Sequence, residues 1–192
     1  MRRFIFIRHG ETAMAGKFCG HSDPDLNRSG EQQIASAADV VASLGVGRIY
    51  SSDLLRASRT AEEISQRIGI RFESRRDLRE IYFGKWEGLS WHEIEYLYPD
   101  DARRWIDEFP ARCAPSGESY AAFTARVDVA MRSLLLKAPE TTAIVTHRGV
   151  MRYALTQYFD LTEEEAWIKT ASYGAVVIAE HRQCQCECEV LS

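Results

Sequence analysis

Two short runs in this chain stop at a histidine in the same way. Residues 4–12 read Phe-Ile-Phe-Ile-Arg-His-Gly-Glu-Thr, and residues 143–149 read Ala-Ile-Val-Thr-His-Arg-Gly. Each is an apolar stretch that ends at an imidazole with a cation beside it and a glycine within two residues. A buried strand looks like this when its carboxyl end opens into a site. His9 and His147 would then share one edge of a sheet, and with Arg8 and Arg56 they suit phosphoryl transfer through a phosphohistidine. Such a reaction needs a nucleophile, positive charge around the equatorial oxygens and an acid for the leaving oxygen. A neutral imidazole supplies the first when its other ring nitrogen is held as a donor, usually to a carbonyl. Gly10 would let the backbone come close enough for that contact. Metal-dependent enzymes use carboxylate clusters for this chemistry, and the sequence offers none.

Two further residues complete the set. Arg56 follows Ser51-Ser52-Asp53-Leu54-Leu55 in the first turn of a helical pattern, where the helix dipole disfavours a cation. A bound phosphate would remove that penalty; a solvated arginine, or one paired with Asp53, is the alternative. Glu80 is flanked by Ile81, Tyr82, Phe83 and Trp86, so desolvation would make its carboxyl a usable acid. By pattern alone Glu11, Glu87 and Glu118 compete with it. His21, His92 and His181 read as ordinary satisfied or exposed histidines.

The elements that must position these residues alternate along the chain. Residues 3–7 predict a strand, then a loop follows over about 11–28. Ser29 and Gln32 suggest a capping box for a helix over 29–44, closed by Gly45 and Gly47. A strand at 48–50 precedes a helix capped by Ser52 or Asp53 and running to Ile68, and a third strand covers 70–73. A helix over 118–137, a strand at 142–146, a helix over 148–159 and strands near 174–180 and 184–190 complete the series. Alternating β and α elements imply an α/β fold, a three-layer sandwich with a mostly parallel central sheet. Ligands bind such sheets at the carboxyl ends of the strands, where both histidines fall.

Residues 77–115 break the pattern with Trp86, Trp91, Trp105, Tyr82, Tyr96, Tyr98 and three prolines. They read as a helical and aromatic insert, at about 85–115, within a single domain spanning 1–192, placed to cover the site. Its rings would stack on a base-like substrate or simply pack the insert onto the core.

Composition narrows the classes. A chain of 192 residues with 45% hydrophobic and 27% charged residues is an ordinary globule. The net charge of −4 argues against nucleic-acid binding. No stretch reaches the roughly 20 apolar residues of a membrane span. Without an export signal the cytoplasm is the expected compartment, and an odd count of five cysteines argues against a disulfide framework. Cys184, Cys186 and Cys188 alternate with polar residues, as on one face of a final strand; a soft-metal clamp is the other reading.

These residues resemble the histidine phosphatase superfamily, also called phosphoglycerate mutase-like. The resemblance spans nearly the whole chain. Arg8-His9-Gly10-Glu11-Thr12 is similar to its signature, and Ser51-Ser52-Asp53-Leu54-Leu55-Arg56 to its second arginine motif. Leu78-Arg79-Glu80 with Phe83-Gly84-Lys85-Trp86-Glu87-Gly88 resembles its acid motif. Ser116-Gly117-Glu118-Ser119 with Arg126 matches the helix start that follows, and Thr146-His147-Arg148-Gly149 its second histidine motif. The resemblance implies that His9 is the nucleophile, that Arg8, Arg56 and His147 surround the phosphoryl group, and that Glu80 is the acid and then the base. It implies no metal and no organic cofactor. Gly10 and Arg148 join the expected phosphate-binding residues, Arg148 adding charge at the rim or pointing to solvent. The chain departs from the family by carrying Ala13-Met14-Ala15 where an Asn is common, and Arg148 where a Gly or Ala is usual.

The implied substrate is a small-molecule phosphate ester. The insert and Trp167…Tyr173-Gly174-Ala175 resemble the α-ribazole phosphatase subgroup of cobalamin assembly. A broad-specificity sugar or metabolite phosphatase and a phosphoglycerate mutase are the alternatives, the short chain favouring a phosphatase. A homodimer is left open.

Overall fold

The computed structural model describes residues 2–138 and 140–181. A five-stranded sheet lies at the centre. Its strands are β1 (Arg2–Arg8), β2 (Arg48–Ser52), β3 (Phe72–Arg75), β4 (Thr141–Thr146) and β5 (Val176–His181), in the order β3-β2-β4-β1-β5. All neighbours pair in parallel except β5, which runs antiparallel to β1. Seven helices accompany the described strands: α1 (Arg28–Ala42), α2 (Leu55–Ile68), α3 (Trp91–Leu97), α4 (Pro99–Glu108), α5 (Tyr120–Lys137), α6 (Arg148–Tyr158) and α7 (Glu163–Lys169). None is long and apolar enough to cross a membrane.

Strand alternation sorts the core into two halves. Phe4, Phe6 and Ile144 point to one face and pack with Phe123, Val127 and Met131 of α5 and Met151 and Leu155 of α6. Ile5, Ile7, Ala143 and Val145 point to the other, against Ala37 and Val41 of α1 and Ala57, Ala61 and Ile64 of α2. The two central strands are covered on both sides, which is why they read as unbroken apolar runs.

The insert has a small core of its own. Trp86, Ile94, Ala102 and Ala114 are buried there, with Phe18, Phe83, Trp91 and Trp105 packed around them. The Trp86 ring lies 5.1 Å from Trp105 and 6.3 Å from Trp91. The three tryptophans thus serve mutual packing, and Phe18 ties them to the loop after β1. The ends of the segment meet: the Lys85 N–H donates to the Pro115 carbonyl and the Glu118 N–H to that of Tyr82, at 2.9 and 2.8 Å.

Several boundaries differ from expectation for local reasons. Helix α1 is capped by Asn27, whose side chain accepts the Gly30 N–H at 2.8 Å, and not by Ser29. Helix α2 starts at Leu55 without a side-chain cap, because the capping position falls on Leu54; the expected caps lie before it, Ser52 on His147 and Asp53 on Arg79. Strand β3 is displaced two residues towards the C-terminus of its expected place. Helix α7 was not anticipated, although Thr162 and Glu165 form a complete capping box at its start. The strand expected at 184–190, with its three cysteines, lies outside the described residues.

Candidate active site

Parallel pairing of β1 and β4 sets Arg8 beside Thr146, so the residues after them emerge together. The imidazoles of His9 and His147 lie 5.1 Å apart between ring centres, and both are almost fully buried. His9 Nδ1 is 2.7 Å from the Gly10 carbonyl. A carbonyl only accepts, so Nδ1 carries the proton and Nε2 keeps its lone pair. Burial and the Arg56 guanidinium push the proton affinity of His9 well below that of a free imidazole, which holds it neutral. A neutral ring with an outward lone pair is the form a nucleophile needs.

Arg56 is completely buried and approaches that lone pair, its Nε–H lying 3.3 Å from His9 Nε2. Burying an unpaired guanidinium would be costly. Here Nη1 donates to the Ser22 carbonyl (2.8 Å), and Nη2 to those of Gly20 (2.8 Å) and Cys19 (3.2 Å). The loop after β1 therefore wraps the arginine and aims it at His9. Neither the solvated nor the Asp53-paired alternative holds, since Asp53 binds Arg79 through two 2.6 Å contacts.

His147 is the residue before α6. Its Nε2 lies 2.8 Å from the Ser52 hydroxyl at the end of β2. The Leu54 N–H approaches the same oxygen at 3.4 Å, and the hydroxyl proton is then free to be donated to Nε2. In that arrangement the ring proton sits on Nδ1, a buried atom without a partner among the described residues. Burial, Arg56 and His9 all disfavour protonation of this ring. Neutral His147 would thus present an N–H donor to a group placed between the histidines.

The four competing carboxylates separate cleanly. Glu87 accepts N–H bonds from Gly20, His21, Ser22 and Phe83 and serves as a loop clamp. Glu118 chelates Arg126, and Glu11 accepts from Asn27. Only Glu80 turns to the histidine edge. It is 8% exposed, and its carboxylate accepts the Gly149 N–H at 3.0 Å in the first turn of α6. A Cβ at Gly149 would come within 2.3 Å of that carboxylate, so the glycine is what admits it. Arg126 of α5 holds the segment in place by donating to the carbonyls of Asp77, Arg79 and Glu80.

Arg8 lies flat on Tyr173, 3.9 Å from the ring centre, and donates to the carbonyls of Thr170 and Ala171 beyond α7. Tyr173 in turn faces His9 at 5.7 Å between ring centres. Burial lowers the proton affinity of Arg8; Tyr173 opposes that and Arg148 adds to it.

Gly10 and Arg148 lie to either side of these groups. Gly10 gives its N–H to the Thr60 hydroxyl (3.2 Å), and its missing Cβ admits the first turn of α1, whose Gly30 carbonyl would lie 2.7 Å away from such an atom. Its N–H is thus engaged within the protein, at a close packing contact. Arg148 is stacked on Trp167 at 3.9 Å and donates to that residue's carbonyl, which sets it at the rim. Ser52, Arg126 and Tyr173 were not anticipated in these positions. The place of Ser52 just before a helix suggests a cap equally well, as does that of Asp53. His21 fits the ordinary reading, stacked on Tyr82 with Nε2 on the Glu80 carbonyl.

Comparison with known proteins identifies the family and the fold. Residues 4–192 match the family model of the histidine phosphatase superfamily, branch 1. Phosphoserine phosphatase 1 of Hydrogenobacter thermophilus is 29% identical over 188 residues, covering 95% of this chain and 89% of that protein. Glucosyl-3-phosphoglycerate phosphatase of Mycolicibacterium vanbaalenii is 37% identical over 71% of this chain, which spans 58% of that protein's length. The crystal structure of the α-ribazole phosphatase from Shigella flexneri superposes with a TM-score of 0.85 at 23% identity, over 94% of this chain and 91% of that one. That likeness concerns the fold.

Proposed function

The chain belongs to the histidine phosphatase superfamily and is a phosphoric monoester hydrolase; we propose that it works without a metal, through a phosphohistidine at His9. The observation that carries this reading is the His9 ring itself. It is held neutral, with Nδ1–H on the Gly10 carbonyl, Nε2 beside the Arg56 Nε–H and the His147 ring 5.1 Å away. Nε2 attacks phosphorus as the bond to the ester oxygen breaks. Arg8 and Arg56 neutralise the equatorial oxygens, and the His147 Nδ1–H donates a hydrogen bond to them. Glu80 gives its proton to the departing alkoxide, then takes one from the water that attacks the phosphohistidine. Phosphate leaves and neutral His9 is restored. The insert acts as a cover over this edge, a role supported by its attachment to the loop after β1 through Phe18. The proposed compartment is the cytoplasm.

The substrate is a small-molecule phosphate ester. α-Ribazole 5′-phosphate is the named candidate, supported by the shared fold of the Shigella enzyme. The tryptophans of the insert pack on one another, which favours the broader metabolite reading over a stacking platform. The test is phosphate release in EDTA from a panel holding α-ribazole 5′-phosphate, 3-phosphoglycerate, sugar phosphates and nucleotides. Release that persists in EDTA is expected. A preference of orders of magnitude names the substrate, while conversion of 3-phosphoglycerate to its isomer without phosphate release would make the chain a mutase. Loss of all activity on chelation would overturn the mechanism.

A further inference from the structure

Beyond the histidine edge, the first turns of α6 carry positive charge in an unusual setting. Arg148 and Arg152 stand four residues apart on one face of the helix, and both lie over the same indole. The Arg148 and Arg152 guanidinium carbons are 3.9 and 4.7 Å from the centre of the Trp167 ring. Trp167, on the unanticipated helix α7, is itself half exposed. Each guanidinium is fixed by one further bond: Arg148 to the Trp167 carbonyl at 3.2 Å, and Arg152 to Glu163 at 3.1 Å. Both Nε atoms are buried without an acceptor among the described residues, as is that of Arg8. Like charges one turn apart on a helix repel. The only carboxylate that pairs with either arginine among the described residues is that of Glu163, which is largely exposed and so only weakly compensating.

The pair also continues the reaction site. Glu80, the proposed acid, rests on the N–H of Gly149, directly after Arg148. A leaving oxygen at Glu80 has its next atoms beside the first turn of α6, where Arg148 stands and Arg152 follows one turn on. We propose that Arg148 and Arg152, braced on Trp167, form a subsite for a second anion on the leaving group. The favoured substrates are then phosphate monoesters that carry a further carboxylate or phosphate. This rests on the phosphatase reading above. Stacking pre-orders both guanidinium groups, so an incoming anion immobilises less than it would on free arginines, and it relieves their mutual repulsion.

Matched pairs test the subsite: 3-phosphoglycerate against glycerol 3-phosphate, and fructose 1,6-bisphosphate against fructose 6-phosphate. The first pair probes a carboxylate and the second a phosphate. Both are measured in kcat/KM, and again as Kd by calorimetry on the His9→Ala chain, where affinity is read without turnover. The wild-type chain should favour the doubly anionic member of at least one pair by about tenfold or more, the effect of a charge-assisted hydrogen bond. That ratio should fall towards unity in Arg148→Met and Arg152→Met, whose side chains keep an apolar cover on Trp167, and it should shrink with added salt. Equal affinities within both pairs, or a preference that survives both substitutions, would overturn the subsite. Absence of turnover with the binding preference intact would instead count against the phosphatase mechanism alone.

Discussion

At the scale of single residues, the chemistry rests on proton positions that neighbours dictate. The Gly10 carbonyl puts the His9 proton on Nδ1, and a hydroxyl proton given by Ser52 to His147 Nε2 leaves that ring's own proton on the buried Nδ1. Glu80 is distinguished from three rival carboxylates by what each one binds, a matter of partners far apart in sequence. Its proposed role has a clear signature. Glu80→Gln should slow hydrolysis of alkyl phosphates by roughly 10²–10⁴-fold, the usual worth of a general acid. p-Nitrophenyl phosphate, whose leaving group needs little protonation, should suffer much less. Equal losses on both substrates would reassign Glu80 to a structural part. The histidines and arginines were legible because each ends an apolar run or opens a helix. Ser52 was not, because a serine before a helix has an ordinary use as a cap.

At the scale of elements, long loops are shaped by buried charge. Arg56 gathers the carbonyls of the loop after β1, and Arg126 gathers those of residues 77–80. Arg126→Met should free the Glu80 segment without touching the reacting atoms. The expected result is a loss on alkyl phosphates in the same direction as Glu80→Gln but smaller, with Glu118→Gln producing a weaker version. Stopped assays across leaving groups of graded acidity would read it; a loss independent of leaving group would show that the clamp serves stability alone. Strands and long helices were readable from periodicity. Helix α7 escaped notice because its apolar face is short, though its Thr162–Glu165 capping box was present in the sequence. Two site contacts depend on that stretch, since Arg8 bonds to the carbonyls just beyond α7 and Arg148 stacks on its Trp167.

At the scale of the whole molecule, the sheet brings together residues from all parts of the chain, and the fold carries a cost in pH tolerance. His9 and His147 are both held neutral, burial being the largest cause, and His21 shifts the same way. The unfolded chain binds protons on these rings below about pH 6.5, while the native state refuses them. Stability is therefore fully present above that value and falls as pH drops below it, by up to about 1.4 kcal/mol per pH unit for each of the buried His9 and His147 rings. Urea midpoints at pH 6.5 and 5.5 should show this drop, and His147→Gln should shrink it. A variant whose midpoint falls as far as that of the wild-type chain would place the sensitivity elsewhere. The α/β architecture was legible from the alternation of elements. The mutual packing of Trp86, Trp91 and Trp105 was not, because an aromatic sequence does not say which surface its rings will meet.

The most direct test is to trap the covalent enzyme. The chain is mixed with p-nitrophenyl phosphate in EDTA, quenched in alkali within its first turnovers, and mapped for the phosphorylated residue. The account predicts an acid-labile, alkali-stable phosphoryl group on His9, absent from a folded and inactive His9→Ala chain. Turnover by that variant, or phosphate carried on any other residue, would contradict it.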